Sequence, residues 1–78
     1  MTQYKYTVIF EPAEEGGYVV TVPALPGLVT EGDTLEEAKE MAKDAIRCHL
    51  SSLLQRNLPI PEDIHEVRPL VDELAVAI

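Results

Sequence analysis

Two histidines, a single cysteine and fourteen carboxylates are the groups in this 78-residue chain with chemistry to offer. His49 falls within an apolar helical stripe. As a general base it would need a second polar partner, and the neighbouring residues supply none. It reads as a core or interface histidine hydrogen-bonded locally. His65 follows Ile64 in a proline-bearing exit segment. Two isolated histidines do not make up the donor set of a metal site. Cys48 borders the buried stripe of the same helix, away from any helix N-terminus, so it reads as a small packed side chain rather than an activated thiolate. Being single, it cannot form an intrachain disulfide, which favours a reducing cytoplasm. These residues imply no cofactor and no metal.

The carboxylates carry more information. The net charge is −8, and between residues 11 and 40 Glu11, Glu14, Glu15, Glu31, Asp33, Glu36, Glu37 and Glu40 face Lys39 alone. Such a surface repels phosphates, which disfavours direct nucleic-acid binding. It draws basic partners and speeds their encounter. The bland reading of the same residues is a solvated face that maintains solubility. No run approaches the ~20 apolar residues of a membrane span, and Met1-Thr-Gln-Tyr-Lys5 has no signal-peptide pattern.

Periodicity defines the elements that must position these groups. Tyr4, Tyr6, Val8 and Phe10 alternate with Lys5, Thr7, Ile9 and Glu11 as a half-buried strand. Pro12 to Gly17 reads as a hairpin loop, and Tyr18, Val20 and Val22 as the core side of a second strand. Pro23 closes that strand because it has no N–H for a ladder. Pro26-Gly27 signals a turn, and Leu28 to Glu31 is a short third strand. Asp33 or Thr34 caps a helix from Leu35 to Gln55. Its apolar stripe is Leu35, Ala38, Ala42, Ala45, Ile46, His49 and Leu53, opposite Glu36, Glu40, Lys43, Asp44, Arg47 and Ser51. Asn57 ends the helix, and Leu58-Pro-Ile-Pro61 is an extended connector. Leu74-Ala-Val-Ala-Ile78 reads as a fourth strand on a sheet edge. The expected fold is α+β: a small antiparallel sheet of three to four strands packed on one long helix, in the order β-β-β-α-β. It forms a single domain over 1–78, divided into 1–57, a connector at 58–65 and a tail at 66–78.

The order hairpin, Pro23-Ala-Leu-Pro-Gly27, Gly32-Asp-Thr-Leu-Glu-Glu-Ala38, Ala-rich helix and Pro59-Ile-Pro61 exit resembles the HicB family of antitoxins over roughly Tyr6 to Asp63. The parts are weak singly and specific in this order. The resemblance implies a partial RNase H-like fold and a role in neutralising a small HicA-type toxin that cleaves mRNA. Ala24 stands where family members often carry an acidic residue. Many also append a C-terminal DNA-binding module, for which a chain ending at Ile78 has no room.

An RNase H-like fold raises the question of nuclease chemistry, which needs carboxylates converging on two metal ions about 4 Å apart. Glu11 and a helix carboxylate would be the candidates, but Glu36, Glu40 and Asp44 point away from the face that packs on the sheet. The expectation is therefore a non-enzymatic antitoxin in the cytoplasm that binds a basic HicA-type toxin. Its candidate contact residues are Glu14, Glu15, Leu25, Pro26, Gly27, Leu28, Glu31, Asp33, Glu36 and Glu37. The alternatives are a stand-alone oligomeric domain with a regulatory or ligand-binding role, and a DNA-binding autorepressor. A chain this short hides about 60% of its unfolded surface, and small cores often gain from oligomerising. A homodimer or homotetramer is expected, with Leu74, Ala75, Val76, Ala77 and Ile78 at its interface.

Overall fold

The computed structural model describes residues 3–64 and 71–77. Its elements are β1 (Gln3–Pro12), β2 (Tyr18–Thr21), β3 (Val29–Gly32), α1 (Leu35–Gln55) and β4 (Val71–Ala77). The four strands make one antiparallel sheet in the order β3-β2-β1-β4. The expected α+β order is therefore observed, with α1 covering one sheet face. The third strand lies one residue later than Leu28–Glu31, because Leu28 is needed in the turn: its N–H donates to the Leu25 carbonyl at 3.1 Å. His65 and Ile78 fall outside the described residues.

Both ends of α1 are closed by local chemistry. The Thr34 hydroxyl accepts from the Glu37 N–H at 3.1 Å, which fills one of the orphan donors of the first turn. At the other end Asn57 adopts φ 53°, and the N–H groups of Leu58 and Asn57 reach the carbonyls of Leu53 (2.9 Å) and Leu54 (3.2 Å). That is the paired 6→1 and 5→2 closure of a Schellman motif. Asparagine tolerates the left-handed region better than most residues.

The fully buried seam of α1 is Ala38, Ala42, Ile46 and Leu50. This corrects the expected stripe. Leu50 is at the centre, while Ala45, His49 and Leu53 are half-buried on the flank. Cys48 is exposed rather than packed. It lies two positions from both Ile46 and Leu50, about 160° round the helix from each. The rotation of the seam follows from contact with the sheet at Gly32. A Cβ on Gly32 would sit 2.6 Å from the Ala38 Cα, so helix and β3 touch backbone to backbone there. The core on the sheet side is Tyr6, Val8, Phe10, Val20, Val22, Leu74 and Val76, closed at one end by Ala24, Leu25 and Leu28.

The exit segment does more than connect. β2 pairs only with Ile9 to Pro12 of β1, leaving the earlier part of that edge without a strand among the described residues. Asp63 occupies it: its carboxylate accepts from the Thr7 N–H and from the Thr7 hydroxyl, each at 2.8 Å. One residue away, the Tyr6 hydroxyl donates to the Pro61 carbonyl at 2.6 Å. Thr7 and Ile9, expected to face solvent, are buried at 3% and 5% exposure. Buried polar groups need partners, and for Thr7 the partner is Asp63.

Three outcomes follow for stability. Gly32→Ala forces helix and sheet apart and should cost about 1–3 kcal/mol in urea denaturation. Asp63→Ala strips two hydrogen bonds from Thr7 and should cost about 1–3 kcal/mol, against a smaller loss for Asp63→Asn. Burial, with the Asp63 carboxylate and Tyr4 close by, holds the Tyr6 phenol above its usual 10.0. The folded state thus keeps this proton more tightly than the unfolded chain. Its stabilisation is full below pH 10.0 and is lost as pH rises through the raised value. Tyr6→Phe should lower stability at neutral pH and flatten the alkaline decline. A decline equally steep in the variant would remove Tyr6 as its cause.

Candidate functional site

Six of the eight acidic side chains between residues 11 and 40 come from three segments at one end of the sheet. The β1–β2 loop supplies Glu14 and Glu15, β3 supplies Glu31, and the β3–α1 turn and first helical turn supply Asp33, Glu36 and Glu37; all six are exposed. The hairpin tip folds over itself, with the Ala13 N–H on the Gly17 carbonyl at 3.0 Å. That closure sets Glu15 beside Glu31 and Asp33 in a cleft of about 230 Å³ floored by Gly16, Tyr18 and Gly32. Glu36 and Glu37 open instead onto a separate shallow hollow shared with Lys39, Glu40 and Lys43. Glu14 lines neither. Glu36 and Glu37 also sit in the first turn of α1, where the positive end of the helix dipole favours them.

The Pro26-Gly27 turn has a different role from the expected one. Gly27 takes φ 89°, which the third position of this turn requires and which L residues avoid. Pro26 and Gly27 are exposed at its tip, whereas Leu25 and Leu28 are 0% and 9% exposed within the protein's own core. The two leucines are thereby withdrawn from the surface that a partner could touch. Only the tip remains available.

The carboxylates considered for metal chemistry are kept apart by the sheet. Glu11 alternates with Phe10 and projects from the face opposite α1, while Glu36, Glu40 and Asp44 are exposed on the outer side of the helix. Lys43 and Arg47 pair with Glu40 (3.8 Å) and Asp44 (2.9 Å) one turn back. Among the described residues, no group of three or more histidines, cysteines or carboxylates is placed to hold a metal ion. His49 sits half-buried on the flank of α1.

One carboxylate that sequence reasoning passed over is Asp72. Its Oδ2 pairs with Lys39 at 3.0 Å and its Oδ1 accepts the Glu73 N–H at 2.8 Å. The hydrogen bond from Lys39, reinforced by that from Glu73 and opposed by partial burial, holds its carboxyl below the usual 3.8. This pair ties α1 to β4. The signal available in sequence was the acidic pair Asp72-Glu73 near the start of an otherwise apolar strand.

Among described helices, none is long and apolar enough to cross a membrane. The family model described as a HicB-like antitoxin of bacterial toxin–antitoxin systems matches residues 6–75. The UPF0150 protein Ta0767 of Thermoplasma acidophilum is 52% identical over 59 residues, covering 76% of this chain and 86% of that protein. Antitoxin HicB 1 of Photorhabdus laumondii is 47% identical over 57 residues, 73% of this chain and 37% of the antitoxin. Antitoxin HicB of Escherichia coli K12 is 36% identical over 63 residues, 78% and 46% respectively. The chain thus spans less than half the length of these two named antitoxins. In fold it is similar to the N-terminal domain of the Burkholderia pseudomallei antitoxin HicB, with a TM-score of 0.71, 20% identity, and coverage of 95% of this chain and 96% of that one. Sequence and fold agree, and the chain belongs to the HicB-like antitoxin family of bacterial toxin–antitoxin systems.

Proposed function

We propose that this protein acts in the cytoplasm as an antitoxin, neutralising a HicA-type, RNA-cleaving toxin by direct binding. The observation that carries the reading is the convergence of Glu15, Glu31 and Asp33 on one exposed cleft in a chain of this family. A toxin that holds RNA must present positive charge to phosphate. An acidic rim complements that charge and competes for the same face. The Pro26-Gly27 tip, fixed by the buried leucines beside it, lies at the opposite end of the β2–β3 hairpin from the acidic cleft and offers a separate, rigid contact. The protein itself performs no catalysis in this reading; it works by occlusion.

Two measurements test it. Co-expression with the neighbouring gene's product should restore growth and yield a complex on co-purification. Replacing Glu14 and Glu15 by Gln should slow association at low salt, with a smaller effect near 0.15 M, where screening shortens to about 8 Å. Rim charges act mainly on association rate, so dissociation should change little. An unchanged association rate at low salt removes the steering role, and absence of binding by the wild type removes the antitoxin reading for that pair. The purified protein should also leave RNA intact with Mg²⁺ or Mn²⁺. RNA cleavage that tracks the protein and disappears in Glu11→Gln would make it a nuclease instead.

A further inference from the structure

The sheet face turned away from α1 runs from the acidic cleft to the other end of the β2–β3 hairpin. Side chains alternate along a strand. Thr30 and Gly32 are on the helix side of β3, where Gly32 meets Ala38, so Val29 and Glu31 project from the outer side. The register carries that face across the sheet in two rows. Val29 lies beside Thr21 and Glu31 beside Val19; Thr21 and Val19 lie beside Ile9 and Glu11 of β1.

Exposure climbs along the first row, from 5% at Ile9 through half-buried Thr21 to 64% at Val29. Val29 is the most exposed of the large hydrophobic residues described. Half-buried Val19 lies diagonal to it, at the spacing of interacting side chains on neighbouring strands. A single exposed valine needs no explanation, since strands favour β-branched residues. What marks this one is its setting. The second row places exposed Glu11 and Glu31 on either side of Val19, and Glu31 also lines the cleft with Glu15 and Asp33. The apolar patch is thus bordered by carboxylates and continuous with the cleft. Lys5, the exposed cation on this face of β1, lies beyond β2, which pairs no further back than Ile9.

We propose that the outer face of β2 and β3 is part of the toxin footprint, with Val29 as its apolar anchor and Glu11 and Glu31 as its rim. The proposal rests on the antitoxin reading and names the face of the domain which that reading uses. The occupant is a basic protein surface with an apolar side chain to set against Val29 and Val19. Complementary charge at the rim selects such a partner, and a desolvated apolar anchor holds it. Nucleic acid would meet carboxylates where it needs cations. A second copy would bring Glu11 and Glu31 against like charges.

Kinetics distinguish the footprint from the reading it rests on. The wild type and three full-length variants are titrated with the neighbouring gene's product. Val29→Thr keeps a β-branched residue on the strand and should quicken dissociation about fourfold, the worth of one buried methyl group. Val29→Lys sets a cation against a basic surface and should weaken binding roughly tenfold or more, with circular dichroism and urea denaturation unchanged. Leu54→Ser, at a residue 43% exposed near the end of α1, should bind as the wild type does. The methyl resonances of Val19 and Val29 should shift on complex formation. If Val29→Lys fails to fold, Val29→Thr and the methyl shifts decide. Wild-type binding that Val29→Lys leaves untouched overturns the footprint while the antitoxin reading stands; absence of wild-type binding removes both for that pair. An equal loss in Leu54→Ser, or Val29 shifts produced by RNA or by raising the concentration of this protein alone, would also overturn the footprint.

Discussion

The contact on which the rest depends is the close approach of α1 to the sheet at Gly32. There the helix backbone at Ala38 rests against β3 with no room for a side chain. That approach fixes which helical row becomes the core seam. Small residues lead it at Ala38 and Ala42, where helix and sheet are nearest, and larger ones follow at Ile46 and Leu50. Interiors are packed at crystalline density, so once Ala38 is placed the rotation of the helix is determined. The outward display of Glu36, Glu40 and Asp44 is a consequence, as is the exposure of Cys48.

The two halves of β1 solve different problems. Its later half has β2 on one side and, at Ile9, the start of β4 on the other. Its earlier half has β4 on one side and only the exit segment on the other. The Asp63 carboxylate accepts the Thr7 N–H where a strand would have supplied a ladder, and the Pro61 carbonyl accepts the Tyr6 hydroxyl beside it. This arrangement keeps Thr7 satisfied while buried, and it directs the chain leaving α1 toward its last strand. β4 is thereby added to the sheet after a long excursion through the helix.

The surface proposed to meet a toxin inherits these constraints. Leu25 and Leu28 serve the core, so the turn between them is rigid but offers a partner only its tip. Glu14, Glu15, Glu31 and Asp33 are exposed at the sheet end, where the proposed contact with a toxin would fall. At β4 the reverse holds: Asp72 is occupied by Lys39 and Glu73, so its charge ties helix to strand rather than recruiting a partner.

Much of this was determined by the sequence alone. Alternation marked β1 and β2, the capping choice of Asp33 or Thr34 and the stop at Asn57 bracketed the helix, and the motif order carried the family. Such signals are local, set by backbone sterics and capping chemistry within a few residues. The rotation of the helix, the burial of Thr7 and Ile9, the Asp63 acceptor and the Lys39–Asp72 tie were decided only in the tertiary structure. The partners in the last two pairs lie 56 and 33 residues apart in the chain, and no local pattern encodes a contact that exists only after the sheet has closed. His49 shows the limit most clearly. By spacing it belonged to the apolar stripe, yet the approach at Gly32 turned the helix just far enough to put Leu50 in the core and leave the imidazole on the flank.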